Sequence, residues 1–274
     1  MSLRSGQAET AQCRHRPAPF SFLTTACHMH FWLQQKFRNK IFKFGFPLFG
    51  KVKRVSLPDV TLVIIDCVNY ERARRAFDHC LFYCEFGDAK LLTHFDSSDP
   101  GVVRIEPLRS IEAYSKFVMK DLDHYFDTDY VLVAQWDGFI WKHMLWDQEF
   151  LAYDYIGAPW PEYLTKGEQH HQHRVGNGGF SLRSKRLQKL LAEDDNIQAT
   201  DNEDVVICQY QRPYLEQAGI RFPPVELAAR FSCEGKLFDA FGHHGHKGLN
   251  MPLRPLWLKI YNLLHHGRFT SRVL

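Results

Sequence analysis

The chain has 274 residues, of which 45% are apolar, 24% charged and 14% aromatic, a globular balance that excludes a disordered, collagen-like or disulfide-stapled miniprotein. It contains no stretch of about 18 uncharged apolar residues. Its seven scattered cysteines form no CxxC pair, which suits the cytoplasm better than an oxidising compartment and offers no thiolate zinc site.

The net charge of +3 hides an asymmetry. Residues 10–58 hold nine Lys and Arg and no Asp or Glu, so residues 59–274 carry a net −6. A mildly acidic body is not a nucleic-acid binder. The first 19 residues read as a tail without the apolar run of a secretion signal. Over 31–48, Leu33, Phe37, Ile41, Phe44 and Leu48 share one helical face, with Lys36, Lys40 and Lys43 on another. That pattern fits an anionic membrane surface, a helix packed on the main body, or irregular chain broken by Pro and Gly after Gly45. The folded body is expected from about residue 58.

Residues 61–66 are a continuous apolar run, as a buried parallel strand requires. Ala73, Phe77, Cys80, Leu81 and Cys84 then recur at helical spacing, with Gly87 as the expected stop. Strands are expected over 90–94 and 102–105, then a helix through Ile111, Tyr114, Val118, Leu122 and Tyr125, then a strand over 130–134. Strand, helix, strand, strand, helix, strand predicts an α/β fold with a mostly parallel central sheet flanked by helices. A helix over 203–218 follows, kinked or ended by Pro213. The last segment, 251–274, reads as a basic amphipathic helix carrying Leu256, Ile260, Leu263 and Leu264 on one face.

Four segments carry residues suited to chemistry. In Gln135-Trp136-Asp137, a carboxylate emerging from an apolar strand can hold Mg²⁺ or Mn²⁺ against a diphosphate; the alternative is a simple Asp-Gly turn. In Val175-Gly-Asn177-Gly178-Gly179-Phe180, glycines permit positive φ and close backbone approach to a ligand, or merely a tight turn. It is neither a Walker loop nor a Rossmann fingerprint. Glu203 and Asp204 stand either as dipole-favoured residues of a helix start or as a general base for an acceptor hydroxyl. His243, His244 and His246 lie among glycines and can ligate a metal through neutral imidazole; His170, His171 and His173 form a second cluster with no assigned role.

Taken together and in this order, the strand-QWDGFI, DYIGAPW, GNGGFSLRS, ED and FGHHG elements resemble those of GT-A-type (Rossmann-like) glycosyltransferases. The similarity is greatest to a bacterial family of uncharacterised glycosyltransferase-like domains, over roughly residues 60–248. The resemblance implies a GT-A-like domain over 58–250, between a basic aromatic extension (1–57) and the terminal helix (251–274). It implies hexosyl transfer from a nucleotide sugar to a hydroxyl of a glycan or lipid-linked acceptor, metal-assisted by Mn²⁺ or Mg²⁺ and inverting. Asp137 and His244 would be the metal ligands, with Gln135 where the family's first carboxylate stands. Asp204 is favoured as base over Glu203. Asp66, Asn69, Tyr114, Lys116, Lys120, Gln135, Trp136, Asn177, Gly178 and Gly179 would line the nucleotide-sugar site, the nucleotide lying near Cys67, Val68 and Asn69. Trp160 and Phe180 would stack on sugar. The basic ends imply a cytoplasmic protein with peripheral membrane contact in envelope polysaccharide synthesis.

Two other classes remain open from the residues. Gln135 in place of a carboxylate suits a catalytically inactive glycan- or nucleotide-binding protein on the same fold. A metal-dependent phosphotransferase or hydrolase would need more clustered carboxylates than the sequence offers.

Overall fold

The computed structural model describes residues 53–160, 173–234 and 239–245. The amphipathic segments at 31–48 and 251–274, the N-terminal tail, and His170, His171 and His246 lie outside them. No helix of the described residues is long and apolar enough to cross a membrane.

Strand β1 (Val55–Ile65) begins three residues before the expected start of the folded body. Its apolar run explains its position. Val63 and Ile65 join Leu92, Phe117, Val118, Leu122, Phe126, Val131 and Val133 in one core cluster. Leu62 and Ile64 point the other way by the strand's period of two, and they too are fully buried. Both faces of β1 are therefore covered, as in other buried parallel strands.

Helix α1 (Tyr70–Tyr83) starts at Asn69, whose side chain accepts a hydrogen bond from Arg72 N. It buries Ala73, Ala76, Phe77 and Cys80. The helix gives way directly to strand β2 (Cys84–Thr93) at Cys84. Gly87, expected to stop the helix, therefore lies within the strand. Strand β3 (Val102–Arg104) follows. Helix α2 (Ile111–Lys120) is capped by Ser110, and a separate 3₁₀ turn, Leu122–Tyr125, completes what the spacing reads as one helix. Strand β4 (Tyr130–Ala134) has the expected bounds.

Among the described residues, six strands form a sheet in the order β3-β2-β1-β4-β7-β6, where β6 is Tyr155–Gly157 and β7 is Phe180–Ser184. The β1–β2, β1–β4 and β2–β3 pairs are parallel, whereas β7 runs antiparallel to β4 and β6. Helices flank this mostly parallel sheet, α2 packing on helix α3 (Lys185–Glu193). The α/β class is as the element order predicts.

A second, three-stranded sheet has the order β5-β9-β8, formed by β5 (Phe139–Ile140), β8 (Ser232–Glu234) and β9 (Gly242–His244). Helix α1 packs against β5 as well as against β1 and β2, and buried His79 meets the Ile140 carbonyl at 2.8 Å.

The expected helix over 203–218 is broken into α4 (Glu203–Val205), a π turn (Val206–Tyr210) and α5 (Arg212–Gln217). Gln211 N donates to Val206 O five residues back at 2.8 Å. Pro213, which lacks an N–H, then sits in the first turn of the restarted helix, where none is needed. Helix α6 (Val225–Phe231) leads into β8.

The covered position of β1 sets one expectation. Leu62→Ala should lower stability by about 2–5 kcal/mol, read as a lower urea midpoint with an unchanged slope.

Candidate functional site

The candidate site lies where β4 and β7 meet. Beyond Ala134 the chain turns, with Gly138 N donating to Gln135 O at 2.9 Å, while Gln135 N donates to Gly179 O at 2.8 Å. The second bond joins the end of β4 to the turn Asn177-Gly178-Gly179 that precedes β7. Asn177, not a glycine, takes the left-handed backbone there, with φ of 56°, and its Oδ1 accepts from Gly179 N at 3.1 Å. The glycines matter for close approach. A Cβ on Gly179 would come within 2.1 Å of His244 Nε2, and one on Gly178 within 2.1 Å of Glu203 Oε1. The turn is thus wedged between two groups of polar side chains.

On one side stand Asp137, His244, Gln135 and Glu234. Strand β9 brings them together: it pairs antiparallel with β5, just beyond Asp137, and parallel with β8, setting Glu234 opposite His244. His244 Nε2 is 3.2 Å from Gln135 Oε1 and 3.5 Å from Asp137 Oδ1, and its Nδ1 is 3.8 Å from Glu234 Oε1. Burial opposes charge on the imidazole, but Asp137 and Glu234 outweigh it and push its pKa up to about 9. Burial likewise works against the Glu234 carboxylate, yet His244 and Asn177 hold its pKa below the ordinary value.

Whether these groups suit a divalent cation can be judged from the donors. Among the described residues, no three His, Cys, Asp or Glu side chains converge as a metal cage. Two do stand together: Asp137 Oδ1 is buried without a hydrogen-bond partner among the described residues, and the His244 contact to it is at the far limit of hydrogen bonding. One carboxylate and one imidazole fit Mg²⁺ or Mn²⁺ when the imidazole gives up its proton and a diphosphate and water supply the remaining ligands. Gln135 can add only a neutral oxygen, and that oxygen already faces His244.

On the other side lies a buried ion pair. Arg183 Nη2 meets Glu203 Oε1 at 3.1 Å, the side chains being 0% and 5% exposed. Arg183 Nε also donates to Ser181 Oγ at 3.0 Å, and Ser181 Oγ donates to Gly178 O at 3.1 Å. Asp204 Oδ2 accepts from Gly178 N at 2.8 Å, and Oδ1 accepts from Val205 N at 2.8 Å. Gly178 is therefore held at both its N–H and its carbonyl. Burial raises the Glu203 carboxyl pKa and Arg183 opposes it, while the guanidinium itself cannot release its proton. Glu203, expected beside Asp204 as a catalytic carboxylate, is thus a buried counter-ion. Asp204 is the half-exposed member of the pair.

The remaining expected residues divide. Asp66, at the end of β1, accepts from Val68 N at 2.7 Å and Asn69 N at 2.9 Å, and pairs with Arg72 Nε at 3.0 Å. Asn69 caps α1. Tyr114 is half-buried with its hydroxyl enclosed, and burial together with nearby Glu203 pushes its pKa up. Trp136 carries the Arg72 guanidinium 4.4 Å from its ring centroid. Lys116 is exposed on α2.

Three expectations are corrected. Lys120 does not face a diphosphate: its Nζ donates to Leu191 O at 2.7 Å and Asp194 O at 2.9 Å, closing the end of α3. Phe180 has no face for a sugar, because it is fully buried and packs on Phe231 and Phe241. Trp160 is only 9% exposed, with its ring against Gly176.

The sequence reading missed Glu234, Arg183 and Arg72. Glu234 had no motif, since only pairing with β9 brings it to His244. Arg183 was in view as the last residue of GNGGFSLR, and an arginine flanked by apolar strand residues was the available signal.

Removing one partner of a buried pair strands the other charge. Arg183→Met should cost about 3–5 kcal/mol in urea denaturation, and adding Glu203→Met should recover part of that loss.

A family model described as protein of unknown function (DUF5672) matches residues 102–248. No curated protein matches the chain. Solved structures similar to it include a glycosyltransferase involved in glycosylation of the major capsid of PBCV-1, with 13% identity, a TM-score of 0.42, and 73% of this chain and 98% of that chain covered. Another is the mannosyltransferase PcManGT from Pyrobaculum calidifontis, in complex with GDP-Man and Mn²⁺, at 10% identity and TM-score 0.38, covering 74% and 64%. A third is the bifunctional IspDF from Campylobacter jejuni, at 12% identity and TM-score 0.32, covering 54% and 46%. All three are distant likenesses.

Proposed function

The chain belongs to the DUF5672 family, and we propose that it is a nucleotide-sugar-dependent glycosyltransferase that moves a hexosyl group to a hydroxyl of a glycan or lipid-linked acceptor. The observation that carries this reading is the pair of groups flanking one turn. Asp137 with His244 stands on one side of Asn177-Gly178-Gly179 and Asp204 on the other, beside the carboxyl end of β4. Ligands of α/β sheets bind at such strand ends.

In this reading Asp137 and His244 would hold Mn²⁺ or Mg²⁺, with Gln135 beside His244, and the cation would supply positive charge against the diphosphate. Asp204 takes the proton from the acceptor hydroxyl as its oxygen attacks the anomeric carbon, giving inversion. General-base assistance of this kind contributes about 10²–10⁴-fold. Gly178 N–H keeps the Asp204 carboxylate aimed beside the turn, and the Arg183–Glu203 pair keeps Gly178 in place. The basic amphipathic segments at the two ends support a lipid-linked or envelope glycan acceptor met from the cytoplasmic face of the membrane.

The test is donor binding followed by turnover. In a thermal-shift panel of UDP-, GDP-, CMP- and dTDP-sugars with and without Mn²⁺, one donor should raise the melting temperature in proportion to its excess over Kd. Asp137→Ala should remove the Mn²⁺-dependent part of that shift. Asp204→Asn can still accept from Gly178 N–H through its amide oxygen, so it should keep donor binding while transfer falls at least about 100-fold. Binding without turnover in the unaltered protein would instead select the inactive nucleotide-binding alternative.

A further inference from the structure

Arg72 lies in the first turn of α1, on a helix that packs against β1, β2 and β5. That packing puts it on the side of the main sheet where β5 follows Asp137. Two contacts hold its guanidinium. Its Nε meets Asp66 Oδ2 at 3.0 Å, and that carboxylate is 4% exposed and anchored by the N–H groups of Val68 and Asn69. Its Cζ stands 4.4 Å from the centroid of Trp136, the residue between Gln135 and Asp137. The side chain is 27% exposed. Among the described residues no hydrogen bond is formed by its two terminal nitrogens.

These are the features of a prepared anion receptor. A guanidinium with one edge bound to a buried carboxylate and one face stacked on an indole has lost most of its rotational freedom before any ligand arrives. What remains is a forked pair of N–H donors, the geometry that matches phosphate oxygens. The arrangement also answers the charge balance of the site. Lys120, the lysine expected to neutralise a diphosphate, is engaged by carbonyls at the end of α3, and Asp137 and Glu234 already flank His244. A positive side chain for a diphosphate is still needed, and Arg72 is fixed on Trp136, the neighbour of Asp137.

We propose that Arg72, clamped between Asp66 and Trp136, binds the diphosphate of the nucleotide-sugar donor. This rests on the transferase reading above and adds the group that grips the donor's charge. Trp136 serves as the platform that sets the plane of the guanidinium, and Asp66 sets its rotation about that plane.

Calorimetric titration of the full chain tests this. The probes are UDP, GDP, CDP, dTDP, their nucleosides and inorganic pyrophosphate, each in EDTA and again with Mg²⁺. One nucleoside diphosphate should bind more tightly than its nucleoside, even in EDTA. Arg72→Met, which keeps an apolar chain on Trp136, should weaken that diphosphate about 10- to 100-fold, the weight of a charge-assisted hydrogen-bond pair, and leave the nucleoside unchanged. Arg72→Lys keeps the charge and the Asp66 contact but lacks the fork, and should lose severalfold. It also carries the comparison if the methionine variant fails to fold. Equal affinity of the diphosphate for the unaltered protein and the variants overturns the role of Arg72 while leaving the donor site standing. If no nucleoside diphosphate binds the unaltered protein, the transferase reading falls and Arg72's role with it.

Discussion

The buried guanidinium of Arg183 is the constraint on which the rest of the site depends. It sits within the core with a side-chain exposure of 0%, where an unpaired charge is costly. Its partners are Glu203 at the start of α4 and Ser181 on β7, and the guanidinium also lies 5.3 Å from the centroid of Tyr155 on β6. Pairing this buried cation sets α4 against the sheet edge and orients the hydroxyl that holds Gly178. Glu203 N–H in turn donates to Ser115 Oγ at 3.2 Å on α2. Four elements are thereby tied to the turn that precedes β7.

The second determinant is the small β5-β9-β8 sheet. Its strands have only two or three residues each, too short to be stable alone. Aromatic packing supports them. Phe241 precedes β9 and lies 6.0 Å from both Phe180 and Phe231, and Phe231 lies 5.2 Å from Phe150. Phe180, with no surface for a ligand, thus helps join the main sheet to the small one. The consequence is chemical. Residue 137 is far in the chain from residues 234 and 244, yet the two pairings of β9 set the three side by side, with His244 between two carboxylates.

Much of the frame was legible in the residues. Unbroken apolar runs over β1 and β4 marked buried strands because both faces of a central strand need cover. Helical spacing locates α1 and α2, although α1 ends at Cys84 and not at Gly87, where the chain is already within β2 and the missing Cβ lets the Pro58 carbonyl come close. Asp137, Asn177 and Asp204 stand out as candidates because each sits in a short local pattern of adjacent residues, and the structure brings all three to the turn before β7. Lys120 and Phe180 were misassigned because residue type says what a side chain can do, not which way it faces.

The sequence by itself determined an α/β class, the chain positions of β1 to β4, and the segments in which polar residues interrupt apolar ones. These depend on local periodicity and on the drive to bury apolar faces, both written in neighbouring residues. Only the tertiary structure decided which polar groups meet: that Glu203 neutralises Arg183 rather than facing a ligand, that Glu234 joins His244, and that Arg72 rests on Trp136. Such meetings depend on which elements pack and in what register. A buried charge selects its partner by distance and desolvation, and neither is set by separation along the chain.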